Sequence, residues 1–150
     1  MISGNFVALN YACEEALVDY FTDVCPPLQV TASYYTGIGN IEDLAPPAVF
    51  VTADDGTELY NSNVYDITVK IYVKEMAADT ASGSFGVLSA NIFNAICDPS
   101  MSYKVNQLNS RSFSSLFIQK LDMRHSTSED ALVSEWGLRI IGCLRSGSTV

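Results

Sequence analysis

The segment MRHSTSED, residues 123–130, sets the only histidine of the chain, His125, beside Ser126, Ser128, Glu129 and Asp130. Those types could supply a hydroxyl nucleophile, its base and an orienting acid. The spacing argues against it: all five crowd one polar turn, without a glycine elbow to present a serine or a second segment to hold an oxyanion. A solvated turn is the expectation. ADDGTE, residues 53–58, collects Asp54, Asp55 and Glu58 around Gly56, but it lacks the alternating oxygen ligands and late glutamate of a calcium loop. Local turn geometry accounts for its Asp-Gly pair. GIGN, residues 37–40, has neither the third glycine nor the following helix of a dinucleotide fingerprint. Tyr34, Tyr35, Tyr60, Tyr65, Tyr72 and Trp136 could stack on bases, yet no basic residues are interleaved with them; packing and subunit contacts suit them better, and Trp136 reads as core.

Four separated cysteines, Cys13, Cys25, Cys97 and Cys143, form no CxxC pair, so neither a zinc site nor a disulfide framework is expected. They read as small buried hydrophobes. Catalytic, cofactor and metal sites are therefore all expected to be absent.

The elements that carry these residues follow from periodicity. Phe6, Leu9, Cys13, Leu17, Tyr20 and Val24 form one stripe of an amphipathic helix over residues 5–24, with Ser3 or Asn5 as cap and Pro26–Pro27 as stop. LQVTASYYTG predicts a strand ending near Thr36, and GIGNIEDLAPP a loop. Ala48–Ala53 predicts a short strand and residues 54–63 a turn-rich connection. In the next strand Tyr65, Ile67, Val69, Ile71 and Val73 alternate with Asp66, Thr68, Lys70, Tyr72 and Lys74, giving one buried and one wet face. Residues 77–84 predict a flexible crossing with a serine cap; Phe85, Leu88, Ile92 and Ile96 mark a second helix that ends at Asp98–Pro99. SLFIQKLDMRH and ALVSEWGLRIIGCL predict a closing hairpin around the polar STSED turn, with 144–150 as a flexible tail. Together they give one α+β domain over residues 1–150: an antiparallel or mixed sheet of about five strands, with two principal helices on one face.

A chain of 150 residues, 48% hydrophobic and 17% charged, is too apolar for disorder and has no apolar run long enough to span a bilayer. The start, MISGNFVALNYACEE, has no basic region and does not read as a secretion signal. Eight basic against seventeen acidic residues leave a net charge of −9, which argues against nucleic-acid binding driven by phosphate neutralisation.

The stretches PPAVFVTADD, YDITVKIYVKEM, GVLSANIFNAI, LFIQKLDMRH and LVSEWGLRIIGCL, after an N-terminal helix, resemble in order and spacing the tail-terminator and tail-completion proteins of long-tailed bacteriophages, over residues 5–144. The resemblance implies a non-enzymatic virion protein assembled in the host cytoplasm: a ring, commonly of six copies, at the head-proximal end of the tail. Its implied partners are copies of itself, the tail-tube protein and the head–tail connector, with genome DNA passing through the lumen ungripped and no membrane involved. It assigns no catalytic residue and no cofactor. On that reading Asp54, Asp55, Gly56, Thr57, Glu58, Leu59, Tyr60 and Asn61 form an exposed loop that could touch a neighbouring subunit. A neck or head-closure connector has much the same signature, and a monomeric acidic binding module is the alternative from another class.

Overall fold

The computed structural model describes residues 2–25, 32–37, 39–59, 63–76, 86–108, 113–128 and 131–144, and within these the side chains of 2–8, 55, 87, 108 and 128 are not described. The elements run α1 (Ile2–Val24), β1 (Ser33–Thr36), a 3-10 turn (Ile41–Asp43), β2 (Ala48–Leu59), β3 (Val64–Met76), α2 (Val87–Cys97), α3 (Met101–Leu108), β4 (Phe113–Ser128) and β5 (Ala131–Leu144). All five strands lie in one sheet of order β1-β2-β3-β5-β4. β1 runs parallel to β2, and every other neighbouring pair is antiparallel, so the α+β expectation of a mainly antiparallel, mixed sheet holds.

The alternation of β3 does what its letters require. Ile67, Val69, Ile71 and Val73 are buried against the helices, together with Val49, Val51 and Ala53 of β2 and Trp136, Leu138 and Ile140 of β5. From α1 the predicted stripe supplies Leu9, Cys13, Leu17 and Tyr20, joined by Ala12, Ala16 and Phe21. The Tyr20 hydroxyl, buried with its ring, donates to the Ala95 carbonyl of α2 at 2.6 Å and ties two helices together over the sheet. A smaller apolar group occupies the other face, where Ile41 and Leu44 of the 3-10 turn region cover Phe50, Tyr72 and Val133, with the Phe50 and Tyr72 rings stacked at 5.9 Å between centroids.

Several expectations are corrected. α1 begins at Ile2, so Ser3 and Asn5 lie inside it and do not cap it. A third helix, α3, occupies a stretch for which no element is predicted; Asp98 both follows α2 and prepares α3, its carboxylate accepting from Ser100 N at 2.8 Å and pairing with Lys104 at 2.6 Å. Asn40 caps the 3-10 turn that follows GIGN by accepting from Glu42 N, and Gly37 takes the left-handed φ of 96° that suits glycine. β4 extends to Ser128, so Ser126 and Thr127 belong to a strand paired with β5 and not to a turn. Residues 26–31, 77–85 and 145–150, which hold the predicted start of β1, the serine-capped crossing and the C-terminal tail, lie outside the described residues, as do Tyr60 and Asn61. Among the described residues no helix is long and apolar enough to cross a membrane.

Candidate functional site

Of the His125 group, the described members His125, Ser126 and Ser128 lie along one strand, β4. His125 sits on strand β4 opposite Ser134 of β5, its Nδ1 is 3.0 Å from Ser134 Oγ, and its ring stands edge-on to Trp136 at 6.3 Å. Partial burial holds the imidazole pKa below its usual value. Ser126, Ser128 and His125 are successive or alternate positions of one strand, and Glu129 and Asp130 lie outside the described residues. Trp136 is core, 3% exposed. The four thiols are free: Cys13 and Cys25 are buried, and burial pushes the Cys25 pKa up to about 11, while Cys97 and Cys143 are half-buried. Among the described residues no three His, Cys, Asp or Glu side chains converge as a metal site.

The acidic segment is a strand and not a loop. β2 continues through Leu59, pairing Asp55 to Leu59 with Thr68 to Val64, after a bulge between Ala53 and Asp55. A bulge leaves backbone groups without ladder partners, and here α1 takes them up: Glu14 accepts from Ala53 N at 2.8 Å and Asn10 Nδ2 donates to Ala53 O at 2.9 Å. β1 covers only Ala48–Val51 of β2, so Thr52–Leu59 has no described strand on its outer side. Asp54 and Glu58 are exposed along it.

Glu14, 5% exposed, carries a cost. Burial raises its carboxyl pKa, the Ala53 and Gly37 N–H groups oppose the rise, and the Asp54 and Glu15 charges add to it. A folded-state pKa above the unfolded one means that the folded chain holds more protons in that window, so stability falls as pH rises through it. Relative to Glu14→Gln, the wild type is expected to lose stability as pH rises from about 4.3, the ordinary glutamate value, and the gap should level off once Glu14 is ionised in both states. Any constant cost of the amide cancels from this comparison. Urea midpoints of both proteins at matched pH check it; parallel pH curves would refute it.

A second buried carboxyl escaped the sequence reading. Glu75, 4% exposed, accepts from Leu88 N and Ser89 N at 3.1 Å and from Ser89 Oγ at 2.5 Å. It does from strand β3 what a side-chain cap does for a helix, since Gly86, the N-cap of α2, has no side chain to offer. A Cβ at Gly86 would overlap the Glu75 carboxyl, so close approach fixes the glycine, at an ordinary φ of −69°. Ser89 Oγ lies 3.4 Å from Ser134 Oγ, so a polar file runs from Glu75 through two buried serines to His125. The signal was present: Glu75 follows Tyr65, Ile67, Val69, Ile71 and Val73 at the buried parity of β3, the one charge in that series.

Along the sheet most basic groups are engaged. Arg139 Nε meets both Asp66 oxygens at 3.0 Å and Nη2 meets one at 2.8 Å; Lys70 pairs with Glu135 at 3.3 Å; Lys74 donates to the Glu42 carbonyl at 3.0 Å. Lys120 and Arg124 of β4 are exposed and form no ion pair among the described residues. β4 is the other sheet edge, with no described strand beyond it. Its sixteen residues expose Leu116 at 59%, Phe117 and Leu121 at 51% and Met123 at 48%. A long, apolar open edge is a template for pairing with another chain, and proteins that remain single usually blunt it.

The sequence matches no family model and no curated protein. Among solved structures it is similar to a chain of the virion of a native gene transfer agent particle, at 11% identity and a TM-score of 0.45, over 89% of this chain and 94% of that one. At that level neither fold membership nor function passes from one chain to the other.

Proposed function

We propose that this chain is a structural virion protein: a tail terminator whose copies form a ring that ends growth of the tail tube and offers the surface joined to the head connector. One observation carries the self-assembling part: β4 exposes four large apolar side chains along a sheet edge with no described strand beyond it. The position at the tube end rests on the order and spacing of elements that resemble the terminator family. Asp54, Asp55, Gly56, Thr57, Glu58 and Leu59 serve as an assembly surface in this reading, now as a strand edge in place of a loop, while Tyr60 and Asn61 lie outside the described residues.

A ring gains from repetition, because each subunit has two neighbours and a head-to-tail contact closes when its rotation does. The acidic surplus has a place there. α1 carries Glu15, Asp19 and Asp23 outside the core and no basic residue, and carboxylates facing a lumen would repel DNA phosphates, so that a passing genome is not gripped. The deciding experiment is removal of the gene: tail tubes that grow beyond their normal length support the role, and tubes of normal length with capped ends reject it.

A further inference from the structure

We infer that the contact between copies joins the β4 edge of one subunit to the outer Asp54–Glu58 edge of β2 in the next, extending the sheet from copy to copy. The inference rests on the ring reading above and names its contact. Among the described residues no strand lies beyond β4 at one end of the sheet, and towards the other end β1 pairs only with Ala48–Val51, so no described strand covers the outer side of Asp54–Glu58. β2 and β4 run in opposite directions, since β2–β3, β3–β5 and β5–β4 are each antiparallel. A rotation about an axis along the strands therefore brings β4 against the next β2 antiparallel, the pairing that exchanges backbone hydrogen bonds most directly.

The charges match in that arrangement. Lys120 and Arg124 stand four residues apart on β4, and Asp54 and Glu58 stand four apart on β2. Antiparallel pairing sets Lys120 toward Glu58 and Arg124 toward Asp54. The faces match as well, because each strand carries a bulge that shifts its alternation. Lys120 lies opposite the core residue Leu138, with its Nζ 3.6 Å from Cys97 Sγ of α2, so it projects on the helix-covered side; Glu58 lies opposite Tyr65, which packs on that same side. Arg124 lies opposite Glu135 on the open face, and Asp54 reaches that face too, accepting from Thr52 Oγ1 at 3.0 Å beside Phe50 and Tyr72. Half-exposed Leu121 and Met123 lie between the two basic residues and would be covered by the contact.

The test uses the full chain with reversed charges. Lys120→Glu with Arg124→Glu reverses one edge, and Asp54→Lys with Glu58→Lys reverses the other. All four positions are exposed, and melting curves identify folded variants; if a reversal unfolds the chain, the neutral pair Lys120→Gln and Arg124→Gln replaces it at smaller amplitude. Sedimentation across a concentration series is expected to show wild-type self-association, weakened about tenfold or more by either reversal, since like charges are then brought together. An equal mixture of the two variants, or one chain carrying all four changes, should recover wild-type association. Association of both variants at wild-type strength overturns the contact and leaves the ring reading standing. Recovery when the β4 variant is mixed with wild type also overturns it, because that pattern belongs to a β4-to-β4 contact. A wild type that stays monomeric at every concentration overturns the contact, while the tube-length experiment judges the ring reading separately.

Discussion

Replacing Glu75 by alanine is expected to destabilise the fold by about 3 kcal/mol, which a urea titration would register as a lower midpoint with an unchanged slope. The size follows from what the carboxyl satisfies. Three donors, Leu88 N, Ser89 N and Ser89 Oγ, converge on it, and Ser89 is 1% exposed, so water cannot replace the lost acceptor. Each buried donor left unsatisfied costs about 1–3 kcal/mol, offset by no longer burying a carboxyl. The loss also reaches the helix dipole, because the carboxyl sits at the positive end of α2. Glu75→Gln keeps one acceptor oxygen and should recover roughly half of the loss, whereas Glu75→Asp withdraws the acceptors by about one C–C bond, near 1.5 Å, and should resemble alanine. Amide exchange would localise the effect, with Leu88 and Ser89 losing protection first. Glu75→Ala within about 0.5 kcal/mol of wild type would mean that α2 does not depend on this cap.

Glu75 also shows what the letters could and could not tell. The period of two in β3, the period near 3.6 in α1 and the apolar run of β5 came through because each element buries a face over many residues, and packing agrees with pattern. Elements whose identity depends on a partner did not. β2 looks broken at Asp54-Asp55-Gly56, the composition of a turn, but Asn10 and Glu14 of α1 satisfy the bulged Ala53, and the strand resumes against β3. Nothing within the segment announces help from a helix forty residues earlier. α3 was missed because Asp98-Pro99 was read as a stop, while the same Asp98 opens the next helix; Met101 and Val105, both buried, are too few to mark a stripe. The candidate surface fared in the same way. The acidic residues were legible as exposed, yet their standing as an open sheet edge depends on where β1 ends, and the role of β4 depends on strand order, which no local pattern encodes.

Phe117→Ser combined with Leu121→Ser is expected to leave the folded monomer nearly unchanged and to weaken self-association by about 10- to 150-fold. Both side chains are 51% exposed, so about half of the burial gain of a large apolar residue, roughly 1.5–3 kcal/mol when complete, remains for a contact to collect; for the pair that is about 1.5–3 kcal/mol, which sets the range. Within the monomer neither belongs to the apolar groups that pack on the two faces, so its melting should move little. This separates a surface kept for assembly from one kept for the fold: a contact role predicts falling association at constant melting temperature, and a folding role predicts the reverse. Ring closure sharpens the difference. Every subunit contributes the altered edge once, so the penalty recurs at each joint around the ring and a modest loss per contact suffices to open it. Added salt distinguishes the apolar share from the charged one, because it weakens the pairing of Lys120 and Arg124 with a neighbour's acids but leaves the Phe117 and Leu121 contribution in place. If the serine pair unfolded the monomer and left association among the remaining folded chains intact, the apolar residues of β4 would belong to the fold, and the contact between copies would have to lie elsewhere.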